Sequence, residues 1–170
     1  SALEDCVCGV LTLQECAAIF GKETPKTNLE RGRVVALADL ERHRLLGEGH
    51  FGEVWLVTNK KAPPINSEPY ALKIQYLDDD EREAENCINE EISTMKMLSY
   101  PFIVNLINSY REQEAISMLL GLAPGGELFD QIHYQLPNGL WDSGIGEEKG
   151  RFYCAVVADT LSFMHVRGYV

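Results

Sequence analysis

The chain has 170 residues, 45% of them hydrophobic and 24% charged, which is the balance of a protein with a core and excludes collagen-like or fully disordered classes. Its 26 acidic and 15 basic residues leave a net charge of −11, a surface that disfavours nucleic acid and anionic membranes and suits basic peptide partners. No apolar run approaches the ~20 residues of a bilayer crossing, and an opening with Glu4, Asp5 and no basic leader does not read as a signal peptide.

Taken in order, residues 1–38 read as an extension or linker. Within them Leu11 to Phe20 suits a short amphipathic helix ending at Gly21, and Lys22 to Gly32, with Pro25 and Asn28, is polar and linker-like. From Leu40 the pattern changes to strands. Leu45-Leu46 leads into a glycine-rich turn and Val54 to Thr58 leads out of it, which predicts an antiparallel hairpin. Lys60 to Pro69 is a proline-containing surface loop, and Tyr70 to Tyr76 is the next strand. The acidic run Asp78 to Glu85 reads as a solvated loop or a first helical turn. Ile88, Ile92 and Met95 then recur at helical spacing until Pro101 forbids continuation. Val104 to Tyr110 and Ala115 to Leu120 read as strands, and Glu127 to Gln135 as a helix. Leu136 to Gly146 is irregular, and Tyr153, Val157, Leu161 and Met164 mark one face of a long helix ending near Gly168. Strands with one helix, a short link and then helices predict a small sheet lobe, residues 39–120, joined to a helical lobe, residues 121–170. Cys6, Cys8, Cys16, Cys87 and Cys154 lack zinc spacing, so reduced thiols in a cytoplasmic chain are expected, with no metal site.

The chemistry concentrates in two segments. Gly47-Glu48-Gly49-His50-Phe51-Gly52 lets backbone fold over phosphates without Cβ clashes and turns its amides toward them. A dinucleotide-binding oxidoreductase shares such a pattern but needs a helix directly after it. Here Val54-Trp55-Leu56-Val57 argues for a strand. Twenty-four residues past Gly49, Lys73 stands in Ala71-Leu72-Lys73-Ile74. Strand alternation puts Ala71 and Lys73 on one face, where a flat base over Ala71 leaves its phosphates near the lysine. Val54 suits the same apolar slot. A lysine so placed needs a carboxylate. Glu91 lies three residues after Ile88 and four before Met95, on the apolar stripe of its helix, whereas Glu90 is rotated off it. An acid on that stripe is costly unless paired, and Lys73 is the obvious partner.

The chain resembles the amino-terminal part of a eukaryotic serine/threonine protein kinase, of the AGC group that contains the cyclic-nucleotide-dependent kinases, and is most like the cGMP-dependent ones. Five segments carry the resemblance, in order: Leu46 to Val54, Tyr70 to Ile74, Asn89-Glu90-Glu91, Pro101 to Leu106, and Gly125-Gly126-Glu127-Leu128-Phe129. It implies an α+β, protein-kinase-like fold with a five-stranded antiparallel amino-terminal lobe, one main helix, and the first helices of a truncated carboxy-terminal lobe. It also implies ATP and Mg2+, and phosphoryl transfer to protein substrates. By resemblance, Lys73 holds the α- and β-phosphates with Glu91 paired to it, and residues 47–52, including Glu48, His50 and Phe51, form the phosphate loop. Leu46, Val54 and Ala71 line the adenine slot and Leu120 guards its back. Gly121, Leu122 and Ala123 are the hinge, Glu127 meets the ribose, and Met95 and Leu106 join a hydrophobic column.

Two departures stand out. Gly121 occupies a hinge position where the group commonly has an acid, and Leu136 to Glu148 is longer than the usual connection. The resemblance puts the catalytic Asp and the Mg2+ ligands after Val170, so the segment is expected to be inactive and marginally stable alone. A kinase-like module that binds nucleotide or a partner without catalysis is the alternative reading.

Overall fold

The computed structural model describes residues 35–49, 52–62, 68–77 and 82–169. The expected Leu11 to Phe20 helix, the polar linker after it, and His50 and Phe51 lie outside these residues. The described residues fall into two compact units divided after Pro124.

The first unit is an antiparallel five-stranded sheet with one helix. Its strands are β1 (Leu40–Gly49), β2 (Gly52–Asn59), β3 (Pro69–Tyr76), β4 (Leu106–Arg111) and β5 (Ala115–Gly121), in the order β1-β2-β3-β5-β4. The helix α1 (Arg82–Met97) falls between β3 and β4. Glu83 and Glu85 in its first turn and Lys96 in its last suit the helix dipole, and Pro101 follows in a turn where the Ile103 N–H donates to the Tyr100 carbonyl. β4 begins two residues later than the sequence pattern suggests. A bulge between Leu106 and Asn108 shifts its register, which period-two counting does not anticipate.

Alternation along β3 and β5 divides the core into two layers. On the outer face Val57, Leu72, Ile74, Ala115 and Leu119 pack with Val35 and Leu40. The chain before β1, including a 3-10 turn at Leu37–Asp39, is tied to that face: Asn108 Nδ2 and the Tyr110 hydroxyl both donate to the Val35 carbonyl, at 3.1 and 2.8 Å. On the inner face Ile116 and Met118 pack against Ile88 and Ile92 of α1, with Met95, Leu106 and Leu120 at the margin. Each fully buried aliphatic side chain adds roughly 1.5–3 kcal/mol, and both faces of the sheet carry such residues.

The second unit runs from Gly125. It holds α2 (Leu128–Ile132), β6 (His133–Gln135), β7 (Trp141–Ser143) and α3 (Glu147–Val166). Two expectations change here. The helix expected over Glu127 to Gln135 stops at Ile132, and the stretch from Leu136, expected to be irregular, closes a β6–β7 hairpin with His133 opposite Ser143 and Gln135 opposite Trp141. The turn chemistry explains both. Gly139 takes φ +83°, the Asn138 Oδ1 accepts from the Leu140 N–H at 3.0 Å, and the Leu136 N–H donates to the Leu140 carbonyl at 2.7 Å. Pro137-Asn138-Gly139 thus reverses the chain and draws the residues on either side into strands.

Candidate functional site

Lys73 and Ala71 lie on the inner face of β3. In the sheet register Val54 stands opposite Lys73 and Leu56 opposite Ala71 on one side, with Met118 and Leu120 opposite the same two residues on the other. The helix that covers this face turns Ile88 and Ile92 into the core. Glu91, on the same stripe, faces Lys73 on the central strand of the sheet. Lys73 Nζ donates to both Glu91 carboxylate oxygens, at 2.9 and 3.0 Å. Glu90 is exposed. The side chains of Lys73 and Glu91 retain 26% and 40% of their accessibility, so the acid sits at the margin of the core rather than within it. A pair this open adds about 0–1 kcal/mol to stability. Its effect is positional: the carboxylate fixes the ammonium and takes two of its three donors, leaving one for another acceptor.

The glycines at the ends of β1 and β2 are not equivalent. Gly52 opens β2 at φ +116°, and a Cβ there would overlap the Ile74 carbonyl oxygen. The fold therefore demands glycine at 52. At Gly47 and Gly49 a Cβ would meet nothing within 4 Å, so the sheet imposes no such demand. β1 and β2 stay paired up to Gly49 and Gly52, with Glu48 opposite Glu53, and the Glu53 carboxylate accepts from Trp55 Nε1 at 2.7 Å.

Of the remaining expected site residues, Leu46 is exposed in β1, Val54 and Ala71 are half-buried, and Leu120 packs at the edge of the inner layer. Gly121 ends β5, its N–H donating to the Asn105 carbonyl at 3.0 Å. Leu122 and Ala123 follow it within the first unit. Glu127 belongs to the second unit, exposed at the start of α2. Met118, fully buried opposite Lys73, was missed in the sequence reading. The signal was present, since it lies two residues before Leu120 on the same strand face.

Away from the pair, Arg111 of β4 reaches Glu85 of α1 at 2.6 Å. The hydrogen bond from that guanidinium holds the Glu85 carboxyl below the usual glutamate range and pushes Arg111 further up. Burial raises the Tyr110 and Tyr70 phenols, and the charge of Glu68 adds to the effect at Tyr70. Among the described residues no group of three or more His, Cys, Asp or Glu is arranged to hold a metal ion. The described side chains do not make a Mg2+ site. No helix among the described residues is long and apolar enough to cross a membrane.

Residues 40–170 match the family model described as protein kinase domain. The chain is similar to flippase kinase 1 of Saccharomyces cerevisiae, with 30% identity over 140 residues covering 81% of this chain and 14% of that protein. Its identity to serine/threonine-protein kinase ppk22 of Schizosaccharomyces pombe is 30% over 156 residues, 89% of this chain and 28% of the relative. To the human cAMP-dependent protein kinase catalytic subunit PRKX it is 30% over 138 residues, 81% and 36%. The chain thus spans 14–36% of the length of these relatives. With its five-stranded antiparallel sheet, single covering helix and a match from Leu40 onward, the chain belongs to the protein kinase family.

Proposed function

We propose that this chain supplies the ATP-binding part of a serine/threonine protein kinase, which moves the γ-phosphate of ATP onto protein hydroxyl groups. The observation that carries the reading is the two-oxygen contact from Lys73 to Glu91 on the inner sheet face. Phosphoryl transfer draws its rate from positioning and charge stabilisation, and a lysine already fixed by an acid loses little freedom on meeting a phosphate. Lys73 takes the α- and β-phosphates with its remaining donor, and Glu91 holds it there. Gly47 and Gly49, glycines the sheet does not require, with His50, Phe51 and Gly52 form the covering loop. Leu46, Val54, Ala71 and Leu120 enclose the base, Gly121 to Ala123 meet its edge, and Glu127 meets the ribose. Mg2+, when bound, would supply charge neutralisation to the triphosphate, and the described side chains would not be its ligands.

The test is calorimetric titration of a non-hydrolysable ATP analogue into wild type, Lys73→Ala and Glu91→Gln. Both variants should bind at least about tenfold more weakly, a loss near 1.4 kcal/mol. Equal affinity in all three would contradict the reading.

On the resemblance of residues 101–104 and 125–128 to the AGC group, we assign the kinase to that group and, within it, to the cGMP-dependent kind, acting on basic peptide substrates in the cytoplasm. Adding cGMP to the full-length protein should raise its rate on a basic peptide, and an unchanged rate would remove that assignment.

A further inference from the structure

A cavity of about 650 Å3 opens beside the outer layer of the sheet, bordered by Leu72 rather than by Lys73 or Glu91. That size lies within the usual 300–1,000 Å3 of small-molecule pockets. Leu37, Leu40, Leu72 and Tyr110 give it apolar walls, and Arg42 and Lys60 stand at its rim. The two cations differ from their neighbours. Lys61 is held by Asp39 at 2.7 Å and Arg111 by Glu85 at 2.6 Å. Lys60 makes only a long contact, 3.4 Å, to the Ala38 carbonyl, and the Arg42 guanidinium lies 5.7 Å from the Trp55 ring centre. Among the described residues neither forms an ion pair with a carboxylate. In a chain of net charge −11, two cations without an ion pair beside a partly apolar hollow form a local exception. Among the described residues Glu112 is the only acid lining the cavity.

We propose that this cavity binds a small amphipathic anion: a carboxylate on an acyl or aryl body. Arg42 meets the planar carboxylate with its fork of donors and Lys60 adds a point charge, while Leu37 and Tyr110, backed by the buried Leu40 and Leu72, receive the apolar body. The site is separate from the nucleotide reading, because adjacent residues of β3 point to opposite faces.

The test is a titration of the full chain with monomeric dodecanoate, followed by amide NMR, with dodecanol as the neutral control. Saturable shifts should centre on the amides of Ala38, Lys60, Leu72 and Glu112. The Arg42→Gln/Lys60→Gln double variant should weaken dodecanoate binding at least about tenfold and leave dodecanol binding unchanged, and Lys60→Arg alone should keep it. Both residues are exposed, and unmoved Met118 and Leu119 amides will verify that the variants fold. An ATP analogue should not displace the probe. The proposal fails if shifts are absent up to about 1 mM, if the double variant binds as wild type does, or if the shifts centre on Lys73 and Glu91.

Discussion

The sheet unit and the segment after Pro124 are built on different terms. Every residue of the described hydrophobic core lies between Val35 and Leu119. Residues 125–169 contribute none, and they leave Trp141 72% and Val166 83% exposed. The first unit is held by two apolar layers on one sheet. The second is held by local signals: a Pro-Asn-Gly turn, a short helix, and the backbone ladder of α3. Apolar burial is thus concentrated in the sheet unit, and substitutions in the two units can test that contrast.

The largest expected effect is in the core. Leu72→Ala, at a residue only 1% exposed, should cost about 2–5 kcal/mol in urea unfolding, against about 0.5 kcal/mol or less for Leu161→Ala in α3. Similar losses would erase the contrast. Next comes the glycine pair. Gly52→Ala should cost about 1–3 kcal/mol through its backbone conformation and the overlap with Ile74. Gly49→Ala should be neutral or gain about 0.4–1 kcal/mol from a stiffer unfolded chain, yet weaken nucleotide binding.

Smaller still is the pH response of the sheet unit. Glu85 has its folded pKa lowered by Arg111, so the stability it adds is present above the ordinary glutamate pKa and is lost as pH falls through the folded value. Tyr110 and Tyr70 have folded pKa values raised by burial, so theirs is present below the ordinary tyrosine pKa of about 10 and is lost as pH rises through the folded values. Unfolding curves across pH should show both limbs, and Glu85→Gln should flatten only the acid one. A wild-type acid limb in that variant would refute the assignment. The smallest effect is Glu91→Gln, expected to change unfolding by less than about 1 kcal/mol. A larger loss would mean that the pair serves the fold as well as ligand contact.

Much of the sheet unit was legible because its signals are periodic. Ile88, Ile92 and Met95 fixed which face of α1 turns inward, and that alone separated Glu91 from Glu90. Alternation in Ala71-Leu72-Lys73-Ile74 gave the two faces of β3. The β6–β7 hairpin was not legible, because Leu128 to Gln135 has apolar spacing compatible with a continuing helix, and a three-residue strand is too short to show a period. The bulge in β4 was hidden for a related reason: one extra residue changes the pairing without changing the composition. The cavity at Arg42 and Lys60 lay beyond sequence reading altogether. It depends on which surface acids reach which bases, and Asp39 chooses Lys61 over Lys60 only in three dimensions.

A role for Lys73 in holding phosphate is tested by separating base from phosphate. Affinities of adenosine and of an ATP analogue should be measured side by side for wild type and Lys73→Ala. The variant should keep adenosine within about twofold and lose the ATP analogue by about tenfold or more. An equal loss for both ligands, or none for either, would contradict a phosphate-holding Lys73.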